Sequence, residues 1–185
     1  MSASTKYVSL RIELLHIKPL VWRRLMVPAS MALLDLHLAI QGAMGWTNSH
    51  LHQFEIDGKS YGEPDEYGEI EIVSEKGQKL SAALGKGVTE FMYQYDFGDN
   101  WQHRIVVEQA QKAHPAWLGP LCVAGERACP PEDIGGAHGY QEFLEAIADP
   151  EHDEHVHLLT WVGGIFDPNG FDINSANERI ATLIE

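Results

Sequence analysis

The chain has 185 residues, of which 44% are apolar, 22% charged and 9% aromatic. That balance is globular and excludes disordered, collagen-like and low-complexity architectures. The formal net charge is −14, a field that repels phosphates at long range and disfavours nucleic acid as a partner of the isolated chain.

In chain order, residues 6–15 alternate apolar and polar, with Val8, Leu10, Ile12 and Leu14 on one face, which predicts a half-buried strand. Pro19 breaks the pattern, and Leu20 to Val27 reads as an antiparallel second strand closed by Pro28. Ser30 has the chemistry of an N-cap for a helix from Met31 to Met44. Leu33, Leu36, Ile40 and Met44 make its core stripe, His37 lies one position off that stripe, and Gly45 supplies the stop. Ser49 to Ile56 reads as a third strand ended by the turn pair Asp57-Gly58. Residues 62–68 read as a loop, Glu69 to Val73 as a short strand and Gln78 to Leu84 as a short helix. Val88 to Tyr95 and Trp101 to Val107 form the clearest hairpin, joined by Asp96-Phe97-Gly98-Asp99-Asn100.

Residues 111–139 hold four of the nine prolines and five glycines and read as irregular. A segment of that length inside a compact domain is usually functional or tied down. Helices are expected over Tyr140 to Ala148, His152 to Trp161 and Ser175 to Ile184, the last opened by the capping-box spacing Ser175-Ala176-Asn177-Glu178. Strands, a helix, more strands and then helices imply an α+β fold: a single domain over 6–185, with a mainly antiparallel or mixed sheet and helices packed on it.

Charge is uneven. Residues 1–60 carry Lys6, Arg11, Lys18, Arg23, Arg24 and Lys59 against four acids, while residues 61–185 carry seven bases against 23 acids. No apolar run reaches the roughly 18 residues of a membrane span. The first residues lack an apolar signal core, so a cytoplasmic location is expected.

Five clusters could carry chemistry. His50 and His52 lie on one side if their segment is extended, as a ligand pair or proton relay. Asp96, Asp99 and His103 flank the hairpin tip and could join them in a polar cleft, although Asp at a turn often only bonds its own backbone. Cys122 and Cys129, six residues apart, lack zinc-knuckle spacing but could still ligate zinc with help from elsewhere, Cys129 leading into Pro130-Pro131-Glu132-Asp133. In Glu151-His152-Asp153-Glu154-His155-Val156-His157, His152 and His155 converge at helical spacing and could bind a divalent metal. Asp167-Pro168-Asn169-Gly170 reads as a turn. No phosphate-binding loop, dinucleotide fingerprint, Gly-x-Ser-x-Gly or His-Glu-x-x-His is present.

Several stretches together resemble one family. They are Ile17-Lys18-Pro19-Leu20-Val21-Trp22-Arg23-Arg24, His50-Leu51-His52-Gln53-Phe54, Tyr95-Asp96-Phe97-Gly98-Asp99-Asn100-Trp101-Gln102-His103, Cys129-Pro130-Pro131-Glu132-Asp133, and Phe166-Asp167-Pro168 with Phe171-Asp172. By these the chain is similar to the plasmid pRiA4b open-reading-frame-three-like proteins from about residue 6 to 183. Some members are passengers of insertion elements and carry the label TnpR. The label implies a resolvase, but a serine recombinase needs a nucleophilic Ser among arginines near its start and a basic helix-turn-helix, and neither is present here. Similar proteins often carry a further Cys where this chain has Ile134, which weakens a thiolate-rich zinc site.

The resemblance carries no established activity, so function rests on the residues. The leading reading is a non-catalytic binding or accessory module for a protein, peptide or small ligand, with Trp22, Arg23, Arg24, Trp46 and Trp101 as interface candidates. The alternative is a metal-dependent hydrolase, acting for example on phosphodiesters, with zinc as the cofactor to consider. A third reading is weak DNA association through Arg23 and Arg24 on the basic N-terminal strands.

Overall fold

Strand alternation builds the frame. In β1 (Lys6–Leu14), Leu10, Ile12 and Leu14 are fully buried, and in β2 (Val21–Pro28) the buried Val21, Leu25 and Val27 continue the same layer. A computed structural model describes residues 6–64, 71–112 and 118–184. Its eight strands form one sheet in the order β5-β4-β3-β6-β7-β1-β2-β8. The further strands are β3 (His52–Ile56), β4 (Lys59–Gly62), β5 (Ile72–Ser74), β6 (Glu90–Tyr95), β7 (Trp101–Lys112) and β8 (Leu121–Glu126). All pairings are antiparallel except β4 with β5, so the sheet is mixed and the fold is α+β.

Helix α1 (Leu33–Met44) lies on the inner face and is buried along almost its whole length. It crosses α5 (Ile173–Ile184) at Gly42, where a Cβ would stand 2.6 Å from the Ile180 backbone nitrogen, so only glycine fits. The short α2 (Leu80–Leu84), α3 (Gly136–Ala148) and α4 (His155–Trp161) complete the set. Among the described residues no helix is long and apolar enough to cross a membrane.

Arg23 is 2% exposed and points into the core. Nε donates to Ala43 O at 2.9 Å, Nη1 to Trp22 O and Glu126 O at 2.8 and 2.9 Å, and Nη2 to Arg127 O at 2.9 Å. The Phe171 ring lies 4.1 Å from its guanidinium carbon, a cation–π contact. Burial lowers the Arg23 pKa from its ordinary value. Opposite, on the outer face, Arg24 pairs with Glu108 at 2.8 Å and Arg11 with Glu13 at 2.7 Å, while Trp22 lies beneath both guanidiniums.

Several boundaries differ from expectation for identifiable reasons. Ser30 does not cap α1: the N-cap is Ala32, which bridges to Lys79, and Leu33 N–H donates to Gln78 O. Tertiary pairing there replaces a side-chain cap. β3 starts at His52 rather than Ser49, so His50 lies outside the strand. β4 follows the Asp57-Gly58 turn as its hairpin partner. Within the stretch read as irregular, β8 pairs with β2 and α3 begins at Gly136. Helix α4 begins at His155, leaving His152 in the preceding turn. Asp172 Oδ1 accepts the Ser175 N–H at the start of α5, in place of a Ser175 cap. The expected loop 62–68 and strand 69–73 fall partly outside the described residues.

Replacing Arg23 by Met removes the guanidinium donors from four backbone carbonyls, the Ala43 contact fully buried and the other three partly so, and such losses are costly. Urea unfolding of Arg23→Met is expected to show a loss of about 3 kcal/mol or more, while Arg24→Met, a partly exposed pair, stays within about 1 kcal/mol of the parent.

Candidate functional site

Two polar assemblies share the region where α1, β3 and β6 meet. The first is neutral and inward. His37 and Gln41, one helical turn apart on α1, face Tyr93 on β6. Gln41 Nε2 donates to the Tyr93 hydroxyl at 3.1 Å, and His37 Nδ1 lies 2.8 Å from the same oxygen. His37 Nε2 lies 2.6 Å from Asn48 Oδ1, and Asn48 N–H donates to Gln41 Oε1 at 3.0 Å. One tautomer satisfies the loop: His37 donates through Nε2 and accepts the Tyr93 proton at Nδ1. Burial, then the neighbouring His52, pushes the His37 pKa down to about 3. The His52 ring stacks on His37 at 3.4 Å and 2°, and His52 Nε2 is 2.8 Å from Oε2 of Glu75, itself 2% exposed.

His37, Asn48, His52 and Glu75 line a cavity of about 520 Å³, together with His50, Leu34, Ile72, Leu51 and Phe97. Leu51 and Phe97 are both largely exposed at its rim.

The second assembly is acidic. His50 Nε2 lies 3.1 Å from Asp133 Oδ1, 3.7 Å from Asp96 Oδ2 and 3.8 Å from Glu132 Oε2. Asp96 sits at the end of β6 with a left-handed φ of 53°. Its Oδ1 accepts the N–H groups of Gly98 and Asp99, which leaves Oδ2 facing His50. Glu132 Oε1 accepts from Thr47 N–H at 2.8 Å and from the Tyr95 hydroxyl at 3.0 Å. The loop that carries Glu132 and Asp133 is pinned by Trp46 Nε1 donating to Pro130 O and by Gly135 N–H donating to Asp99 Oδ2.

The expected cleft therefore divides. His50 and Asp96 meet. His52 turns to Glu75, Asp99 secures the loop, and His103 is buried with Nδ1 donating to Tyr93 O. Burial lowers His103 to about 4. The candidate metal set does not gather. Cys122 and Cys129 are free thiols near Arg23, and desolvation raises both, Cys129 to about 12. His152 Nδ1 accepts from Glu154 N–H, and His155 Nδ1 donates to Ala146 O. Among the described residues, the closely gathered group of three His, Cys, Asp or Glu ligand atoms is His50, Asp96 and Asp133. Of the interface candidates, Arg23, Trp46 and Trp101 are buried and so cannot present a surface, while Trp22 and Arg24 remain partly exposed.

Sequence reasoning missed Glu75, Asn48 and Gln41. The signal for Gln41 was legible: it stands four residues after His37 on a helix that is otherwise apolar on that side. Glu132 and Asp133 were visible beside Cys129, but nothing local points them at His50.

The profile of the plasmid pRiA4b ORF-3-like proteins matches residues 6–175. The chain belongs to that family. It is 43% identical over 178 residues to the uncharacterised protein y4hQ of Sinorhizobium fredii, covering 95% of this chain and 91% of that one. It also resembles the crystal structure of a protein of unknown function from Methanosarcina mazei Go1, with a TM-score of 0.85 and 39% identity over 93% of this chain and 98% of the other. For this pRiA4b-type fold the family therefore comes with a solved architecture, and chemistry must be argued from the site.

His37 and His103 are neutral in the fold, and an unfolded imidazole titrates near 6.5. As pH falls below about 6.5, the unfolded chain binds protons that the folded chain refuses, so stability drops with acid. Urea unfolding is expected to lose about 2–3 kcal/mol between pH 7 and pH 5.5 from this pair, and His103→Leu is expected to show about half that loss.

Proposed function

We propose that this protein is a binding module whose cavity over His37, His52 and Glu75 receives a short peptide segment. The observation that carries the reading is the pairing of a preformed polar floor with an exposed apolar rim. Leu51 and Phe97 offer contact to an apolar side chain at the mouth. Below them, Asn48, His52 and Glu75 offer both donors and acceptors, the combination a peptide group needs. The floor is bound into fixed hydrogen bonds before any ligand arrives, which lowers the ordering cost of association.

Two other readings fare less well. Weak DNA association draws on Arg23 and Arg24, and the first is buried while the second is held by Glu108. A metal-dependent hydrolase needs a bound cation and a water held for attack; among the described residues His50, Asp96 and Asp133 gather, but Cys122, Cys129, His152 and His155 do not join them.

The test is a titration of ¹⁵N-labelled protein with N-acetyl-phenylalanine amide, N-acetyl-leucine amide and N-acetyl-glutamate amide. The two apolar compounds are expected to shift the amides of Leu51, Gln53, Glu75 and Phe97 at millimolar concentration, and Leu51→Asp to weaken both at least about tenfold, a loss of some 1.4 kcal/mol. No shift at these amides up to about 10 mM, or an equal response to the glutamate compound, would refute the reading.

A further inference from the structure

His50 presents one ring nitrogen to the acidic cluster. Its Nε2 is sealed from solvent and makes no hydrogen bond. Three carboxylates nevertheless surround that atom, at 3.1, 3.7 and 3.8 Å. Among the described residues no lysine or arginine pairs with any of them; His50 is their common neighbour. A ring nitrogen sealed from solvent and facing three carboxylates, none of them paired with a lysine or arginine among the described residues, is an electrostatic environment that favours a cation.

We propose that His50, Asp96 and Asp133 bind one divalent transition-metal cation, with Glu132 beside them as a fixed outer support. Their ligand atoms lie within 4.8 Å of one another. Around one ion with bonds of about 2.1 Å, ligands stand roughly 3 Å apart when adjacent and about 4.2 Å when opposed. A small inward movement closes the difference, and Asp133, with its side chain 71% exposed, is free to make it.

The ligand Asp96 and the supporting Glu132 are both held in place. Asp96 Oδ1 is occupied by two backbone N–H groups, which aims Oδ2. The Tyr95 hydroxyl and Thr47 orient Glu132. Such outer hydrogen bonds are what position metal ligands generally.

One imidazole with two carboxylates suits zinc or manganese; soft ions that prefer thiolates are not served. Three protein ligands leave coordination positions for water or for an oxygen donor from outside. His50 also lines the cavity, but the proposal stands on the cluster alone and does not depend on what the cavity receives.

The experiment is calorimetric titration of chelator-treated full-length protein with zinc chloride and, separately, manganese chloride near neutral pH. One equivalent is expected to bind. Paramagnetic broadening by manganese should centre on the amides of His50, Asp96 and Asp133. Asp133→Asn and His50→Gln should each weaken binding at least about tenfold, while the double change His152→Ala with His155→Ala should leave it unchanged. Should His50→Gln fail to fold by circular dichroism, Asp133→Asn, at an exposed position, decides the matter. The proposal is overturned by absence of binding at millimolar metal, by binding that survives Asp133→Asn, or by binding lost in the His152/His155 variant.

Discussion

One guanidinium organises this fold. Arg23 sits where β2, β8 and the end of α1 meet, and it spends its donors on four backbone carbonyls. Ala43 belongs to the last turn of α1, where carbonyls lack helical partners and the dipole is negative. Glu126 and Arg127 are where the chain leaves β8. An unpaired buried charge would be ruinous, so the surrounding backbone must adopt the arrangement that satisfies it. Gly125 makes room: a Cβ there would stand 2.8 Å from both the Arg23 side chain and Phe171. From this fixed exit the chain passes Trp46 and reaches Glu132 and Asp133 beside His50.

The two polar assemblies differ in how their burial is balanced. The His37, Gln41, Tyr93 and Asn48 set is neutral, and each member is both donor and acceptor to its neighbours, so His37, Gln41 and Tyr93 can lie fully buried without charge while Asn48 closes the loop at the surface. The His50 set is acidic and lies nearer solvent, with Asp133 open to water. Tyr95 separates them and touches both. Its ring lies 6.4 Å from His37 and 5.8 Å from His50, and its hydroxyl contacts Glu132.

Legibility in the sequence followed the range of the interaction involved. The β1–β2 pair, the β6–β7 hairpin and the core stripe of α1 are set by local period and turn chemistry, and they were readable. β8 was not, because Leu121–Glu126 lacks clean alternation and is a strand only through its pairing with β2. The site divides the same way. Asp96 declared itself as a polar residue at a hairpin tip, and His50 as one of a pair of histidines, although on a strand rather than in the link before it. Their meeting with Glu132 and Asp133 depends on the path imposed by Arg23, whose own burial contradicts the usual expectation for an arginine on a strand. The deep network was hidden because His37 and Gln41 look like imperfections in an apolar helix until Tyr93 is placed opposite them.

The acidic cluster is assembled from three remote stretches of chain: the link between α1 and β3, the tip of the β6–β7 hairpin, and the loop after β8. None of these can form the cluster alone, and each is held to the others by contacts that exist only when the sheet is complete. Occupancy of that seam is therefore thermodynamically linked to the whole fold. Whatever binds there draws the folding equilibrium with it, and partial opening of any one of the three segments releases it.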